Sequence, residues 1–147
     1  MPLPDHVAIA NLVFRYAELI DAGDFDGIGA LFADATITAE GSDVEWRGEQ
    51  AITEMYVNST RRYDDGTPRT KHVTTNLVVE VDDGRQVATC RSYFTVFQQT
   101  DTVPLQPIVA GRYRDEFRRT VEWRFTRRHM IVDLVGDVSQ HLLFELR

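Results

Sequence analysis

Several features that would decide a function at sight are scarce or missing in this chain. Cys90 is the single cysteine in 147 residues, so no internal disulfide can form. Positive charge is in deficit, with 16 Lys and Arg against 23 Asp and Glu and a formal net charge of -7, which removes the broad basic footprint that binds a phosphate backbone or an anionic membrane. Nucleic acid and membrane are therefore not expected as partners. No apolar run approaches the ~20 residues of a membrane-spanning helix. The start, Met1-Pro2-Leu3-Pro4-Asp5-His6, lacks both a basic stretch and an apolar signal core, and a cytoplasmic protein is expected. Gly-x-Gly-x-x-Gly, Walker and Gly-x-Ser-x-Gly patterns are missing, leaving nucleotide cofactors and serine hydrolysis without support. His6, His129 and His141 show neither metal-ligand spacing nor matched cysteines, so no metal or other cofactor is expected.

What is present is an ordered set of hydrophobic patterns with 43% hydrophobic residues, enough for one domain spanning residues 1–147. From Asp5 to Asp21 apolar residues recur at helical spacing, with Val7, Ala10, Phe14 and Ala17 on one stripe and Ile9, Leu12, Val13, Tyr16 and Ile20 on the next. Asp21 extends the first stripe, an unusual place for an acid. Gly23 can end this helix and Asp24 can cap a second one through Phe25, Ile28, Leu31 and Phe32. Two short strands, near residues 35–39 and 44–47, precede a third helix that follows Gly48 and carries Ile52, Met55 and Tyr56. After Pro68 the pattern changes to long strand-like segments at about 70–82, 86–99, 107–120 and 121–134. Helices followed by adjacent strands make an α+β order, and a curved, mostly antiparallel sheet wrapped on three N-terminal helices would leave a cone-shaped pocket. Its many aromatics, among them Phe14, Tyr16, Tyr56, Tyr93, Phe94, Phe97, Phe117 and Phe125, would either line that cone or fill it.

Within this order the pair with chemical potential is Asp21 and His72. A histidine that donates one ring N–H to a carboxylate keeps its other nitrogen free to accept a proton. In the plainer reading Asp21 belongs to the helix junction and His72 is a partly buried strand residue. Period-two alternation sets His72 with Thr74, Asn76, Val78 and Glu80, opposite Val73, Leu77, Val79 and Val81. Both faces of such a strand can be covered if a second subunit packs outside the sheet, so a homodimer or homotrimer is expected. Tyr16 lies about 140° around an ideal helix from Asp21 and reads more readily as core. Arg128 shares a strand face with Met130 and Val132, where an arginine wants a carboxylate or a ligand; Arg112 shares one with Ile108 and Ala110. Cys90 reads as a small core residue.

The segments Phe14-Arg15-Tyr16-Ala17-Glu18-Leu19-Ile20-Asp21, Leu31-Phe32-Ala33-Asp34-Ala35, Trp46-Arg47-Gly48, His72-Val73-Thr74-Thr75-Asn76 and Gly111-Arg112-Tyr113-Arg114-Asp115 resemble, in this order, the SnoaL-like branch of the nuclear transport factor 2-like (NTF2-like) superfamily. The resemblance covers nearly the whole chain and implies the cone fold. Within that branch the chain looks most similar to the scytalone dehydratase, bile-acid dehydratase and hexachlorocyclohexane dehydrochlorinase type, whose Asp-His dyad matches Asp21 and His72. The same resemblance implies a site role for Tyr16 and for Arg128, which follows Trp123 by five residues; neighbouring Arg127 competes for the second assignment. Two departures stand out: the segment Tyr93 to Phe97 carries neither the second pocket histidine of scytalone dehydratase nor the second acid of steroid isomerases.

The resemblance implies a cofactor-independent lyase or isomerase acting on a hydrophobic small molecule. His72 would remove a C–H proton, Asp21 would orient it, Tyr16 would donate to a substrate oxygen, and Arg128 would hold developing negative charge. The alternative is a non-catalytic binding or accessory subunit, similar to the small subunit of ring-hydroxylating dioxygenases, whose mark would be a filled cone. Epoxide hydrolysis ranks last, because the required Asp-Arg-Asp arrangement does not align.

Overall fold

The computed structural model describes residues 2–146. Helix α1 spans Asp5–Asp21, α2 Phe25–Leu31 and α3 Gly48–Ser59; the strands are β1 Thr36–Ala39, β2 Glu45–Arg47, β3 Thr70–Asp82, β4 Val87–Gln98, β5 Gln106–Arg119 and β6 Trp123–Val135. The three helices pack on a six-stranded curved, unclosed sheet in the order β2-β1-β6-β5-β4-β3, antiparallel except where β1 runs parallel to β6. The long strands follow one another as a meander, so each pairs with its neighbour in sequence, whereas β1 and β2 join the far edge beyond β6.

Helix α1 ends as its pattern predicts. Gly23 adopts φ 73°, its N–H bonds to the Ile20 carbonyl and the Asp24 N–H to that of Leu19, and the Asp24 carboxylate accepts from the Gly27 N–H at 2.8 Å to start α2. A methyl group at Gly23 would stand 2.0 Å from the Gly66 carbonyl oxygen, so this glycine also admits the loop before β3. The buried face of α1 is Ile9, Val13, Tyr16, Leu19 and Ile20; Phe14 is exposed. The stripe extended by Asp21 is thus the flank of the helix and not its core face, a correction to the sequence expectation.

Irregularities in strand pairing decide which side chains enter the cone. On β3 the register against β4 shifts between Thr75 and Val78, with Asn76 at φ 56°. The extra residue is a β-bulge, and it reverses the alternation: His72 and Thr74 face inward before it, Leu77, Val79 and Val81 after it. The expected polar face running from His72 to Glu80 therefore does not exist as one face. On β5 an extra residue opposite Val96 and Phe97 separates Ile108, which is buried, from Ala110 and Arg112, which point outward. On β6 the pairing steps from Phe117↔Phe125 to Glu116↔Arg127, so Phe125 and Arg128 both face the helices despite an odd spacing.

Aromatics fill much of the cone. Phe94 stacks on Tyr113 with centroids 4.4 Å apart, and Phe125 packs between Phe32 at 4.4 Å and Phe117 at 4.6 Å. Tyr93 lies on the outer face and is 52% exposed, and Phe97 shares that face, so neither occupies the interior.

Candidate active site

Asp21 is the last residue of α1 and His72 the third of β3, and helix and strand meet there. The His72 ring Nδ1 lies 2.6 Å from Asp21 Oδ1, the His72 backbone N–H donates to Oδ2 at 2.8 Å, and the Thr70 hydroxyl donates to Oδ1 at 2.8 Å. Three donors on one carboxylate fix both oxygens, so the ring orientation is set by the backbone as well as by the side chain. A carboxylate can only accept, which places the ring proton on Nδ1 and leaves Nε2 as the basic nitrogen. The pair is largely withdrawn from water, with His72 5% and Asp21 12% exposed at the side chain.

Tyr16 meets the His72 ring edge-on at 6.2 Å, so the 140° that separates it from Asp21 on the helix is bridged by the imidazole lying between them. Its hydroxyl accepts from the Tyr56 hydroxyl at 2.9 Å, and a hydrogen bond between the Tyr16 and Tyr113 hydroxyls bears on both phenols. Burial pushes Tyr16 well above the ordinary tyrosine range, Tyr56 adds to this and Arg128 opposes it. Burial likewise raises Tyr56 and Tyr113. These phenols stay protonated near neutral pH and cannot serve as bases there.

Among the three arginine candidates only Arg128 is inside. It is fully buried, its Nε and Nη2 donate to Asp115 at 2.8 and 3.0 Å, and its guanidinium lies 3.8 Å from the Tyr113 ring centroid and 4.5 Å from that of Tyr16. The carboxylate that the strand pattern required is Asp115, directly opposite on β5. Burial alone would depress the guanidinium pKa, but Asp115 reverses this and holds it above its ordinary value; burial pushes Asp115 up while Arg128 opposes. Arg128 Nη1 has no partner among the described residues. Arg127 instead faces Glu116 on the outer surface, and Arg112 pairs with Asp133 at 2.8 Å, so neither belongs to the interior. Cys90 sits in the core with its thiol pushed up to about 11 by burial, in keeping with a packing residue.

A second histidine joins the site from the C-terminal segment. The His141 ring centroid is 6.1 Å from that of His72, and the residue is buried. His141 drew attention in the sequence only as a candidate metal ligand; neither it nor Asp115 lies within a local spacing rule. Tyr56, a core position by helical pattern, gave no signal that its hydroxyl meets Tyr16.

The family profile of the SnoaL-like domain matches residues 1–129. The chain belongs to the SnoaL-like family. Solved structures agree with the fold of this SnoaL-like domain. A nuclear transport factor 2-like protein with a cystatin-like fold from Novosphingobium aromaticivorans is 24% identical at a TM-score of 0.72, with 92% of this chain and 86% of that one covered. A protein provisionally assigned as an aromatic ring hydroxylase from the same organism is 26% identical at a TM-score of 0.72, covering 95% and 98%. A third, provisionally assigned as a scytalone dehydratase, is 20% identical at a TM-score of 0.73, covering 97% and 89%.

Proposed function

We propose that this SnoaL-like domain is a cofactor-independent lyase or isomerase that acts on a hydrophobic small molecule bearing an activated C–H bond. The observation that carries the reading is the 2.6 Å contact between Asp21 Oδ1 and His72 Nδ1, reinforced by the His72 backbone N–H on the other carboxylate oxygen. His72 Nε2 takes the proton and Asp21 stabilises the imidazolium that forms. In an elimination the same imidazolium returns the proton to the departing group; in a double-bond shift it returns it to another carbon. Tyr16, aligned by Tyr56, donates to the substrate oxygen on which charge builds. Nε and Nη2 of Arg128 are taken by Asp115, so the side chain holds Tyr16 and Tyr113 in place and sets a positive field behind them, while its Nη1 has no partner among the described residues. The dehydratase-type neighbour is in keeping with this chemistry.

The test is deuterium incorporation at the acidic C–H of 2-tetralone, a bicyclic hydrophobic ketone, followed by proton NMR in deuterated buffer. Catalysed exchange in the wild type that disappears in folded His72→Gln supports the reading. Equal rates in the two proteins remove His72 as the base.

A binding or accessory role is the second reading, and the packed interior favours it: the Phe94–Tyr113 and Phe32–Phe125–Phe117 contacts occupy the cone, and the dyad has little exposed surface. Ligand binding that survives His72→Gln without any catalysed exchange would select this reading. A homodimer through the outer sheet face accompanies either role. There, the cross-strand row Arg91–Arg114 adjoins a row that carries Glu80 and Glu116, so two antiparallel copies would set arginines against glutamates, with Val73 and Tyr93 adding apolar area.

A further inference from the structure

The C-terminal segment after β6 returns across the end of the cone where the dyad lies. It is held mainly by backbone groups. The Arg61 N–H donates to the His141 carbonyl at 2.8 Å, the Leu143 N–H to the Ser59 carbonyl at 3.0 Å, and Gln98 Nε2 to the Gln140 carbonyl at 3.1 Å; the Tyr63 hydroxyl also donates to the Gln140 carbonyl. Thr60 and Leu142 form an antiparallel bridge between these anchors. The path of the chain thus determines where the His141 imidazole stands, 6.1 Å from that of His72 by ring centroids. The imidazole is buried, and its Nδ1 has no hydrogen-bond partner among the described residues. A buried unpaired polar atom costs about 1–3 kcal/mol, a cost that a ligand oxygen placed against the ring would offset.

We propose that His141 is a second ligand-contacting imidazole, which hydrogen-bonds a carbonyl or hydroxyl oxygen of the molecule whose C–H faces His72. The inference rests on the lyase or isomerase reading for the C–H half of this geometry. His141 suits the oxygen half because burial, with the His72 ring beside it, holds its pKa down to about 4. At neutral pH it carries one N–H and one lone pair, and it stays uncharged while His72 cycles through the imidazolium. It binds oxygen without exchanging a proton and adds to the donation from Tyr16, so the base and the oxygen contacts are separate groups. The ligand class that follows is an oxygenated polycyclic or aromatic molecule with an acidic C–H next to the oxygen-bearing carbon. A simple hydrocarbon of the same shape lacks the group that His141 recognises.

The experiment uses the full chain with 15N-labelled histidine rings, titrated with 2-tetralone and with 1,2-dihydronaphthalene, which keeps the bicyclic frame but lacks the oxygen. The expected result is a shift of a His141 ring nitrogen with 2-tetralone only. His141→Phe should weaken 2-tetralone binding about tenfold and leave the hydrocarbon unchanged, whereas His141→Gln, which keeps a donor, should retain most of the affinity. A backbone amide spectrum of each variant confirms the fold. Unchanged 2-tetralone affinity in both variants, a His141 ring that ignores bound 2-tetralone, or no binding of 2-tetralone at millimolar concentration overturns the proposal. Failure of the catalytic reading is separable: His141-dependent binding without His72-dependent exchange removes the chemistry and keeps this contact, and the converse removes only the contact.

Discussion

His72 and Leu77 both face the helices although they stand an odd number of residues apart on β3, because Asn76 adopts a left-handed conformation and adds one residue to the strand. Without that bulge, a strand that buries Leu77, Val79 and Val81 would turn His72 to the outer face, away from Asp21.

The bulge therefore makes Asn76 a determinant of the site. Asn76→Gly should change stability by less than about 0.5 kcal/mol, since glycine accepts positive φ, whereas Asn76→Val should cost about 1–2 kcal/mol. Urea denaturation midpoints measure both. Deletion of Asn76 should remove catalysed exchange altogether, and a deletion variant that kept the wild-type rate would contradict the placement of His72.

Asp21 accepts three hydrogen bonds at one carboxylate. Asp21→Asn keeps the shape but loses the charge and offers a single acceptor oxygen. The expected outcome is a stability loss of about 1–3 kcal/mol. Exchange of 2-tetralone protons should slow by about 10²–10⁴-fold. The Thr70→Val variant removes one donor and should lower exchange far less, which the same NMR assay resolves.

The Arg128–Asp115 pair is sealed from solvent. Breaking one side leaves an unpaired buried charge, so Arg128→Met should cost about 3–5 kcal/mol. Removing both charges in Arg128→Met with Asp115→Leu should recover most of that loss. A double-mutant cycle in urea gives the coupling directly, and additive costs would show that the two side chains act independently.

The depressed His141 pKa predicts a definite pH dependence. The ring is neutral in the fold down to about pH 4 but protonates in the unfolded chain near the ordinary 6.5, so between these values the unfolded state binds more protons. Its contribution is present above pH 6.5 and is lost as pH falls toward 4, with a total on the order of 3 kcal/mol. His141→Phe should flatten the stability profile in that window. An identical acid limb in the variant would assign the loss to other groups.

The order of elements, the ends of α1 and the start of α2 were legible in the sequence, because helical spacing, the glycine at the helix end and the Asp24 cap are local rules that act within a few residues. The resemblance carried by the segments around Asp21 and His72 pointed to the cone and to the pair that it brings together. The partners of that pair were not legible. Asp115 meets Arg128 through cross-strand register, Tyr56 meets Tyr16 through helix packing, and His141 reaches His72 because the chain returns after β6. The faces of the strands depart from simple alternation for a related reason: alternation assumes an unbroken pleat, and the single extra residues at Asn76, near Ile108 and near Thr126 each reverse it. Propensity and periodicity are short-range, so the order of helices and strands follows from the sequence alone. Which side chains share the interior of the cone is set by the fold, because sheet register and the return of the C-terminal segment depend on contacts between residues far apart in the chain.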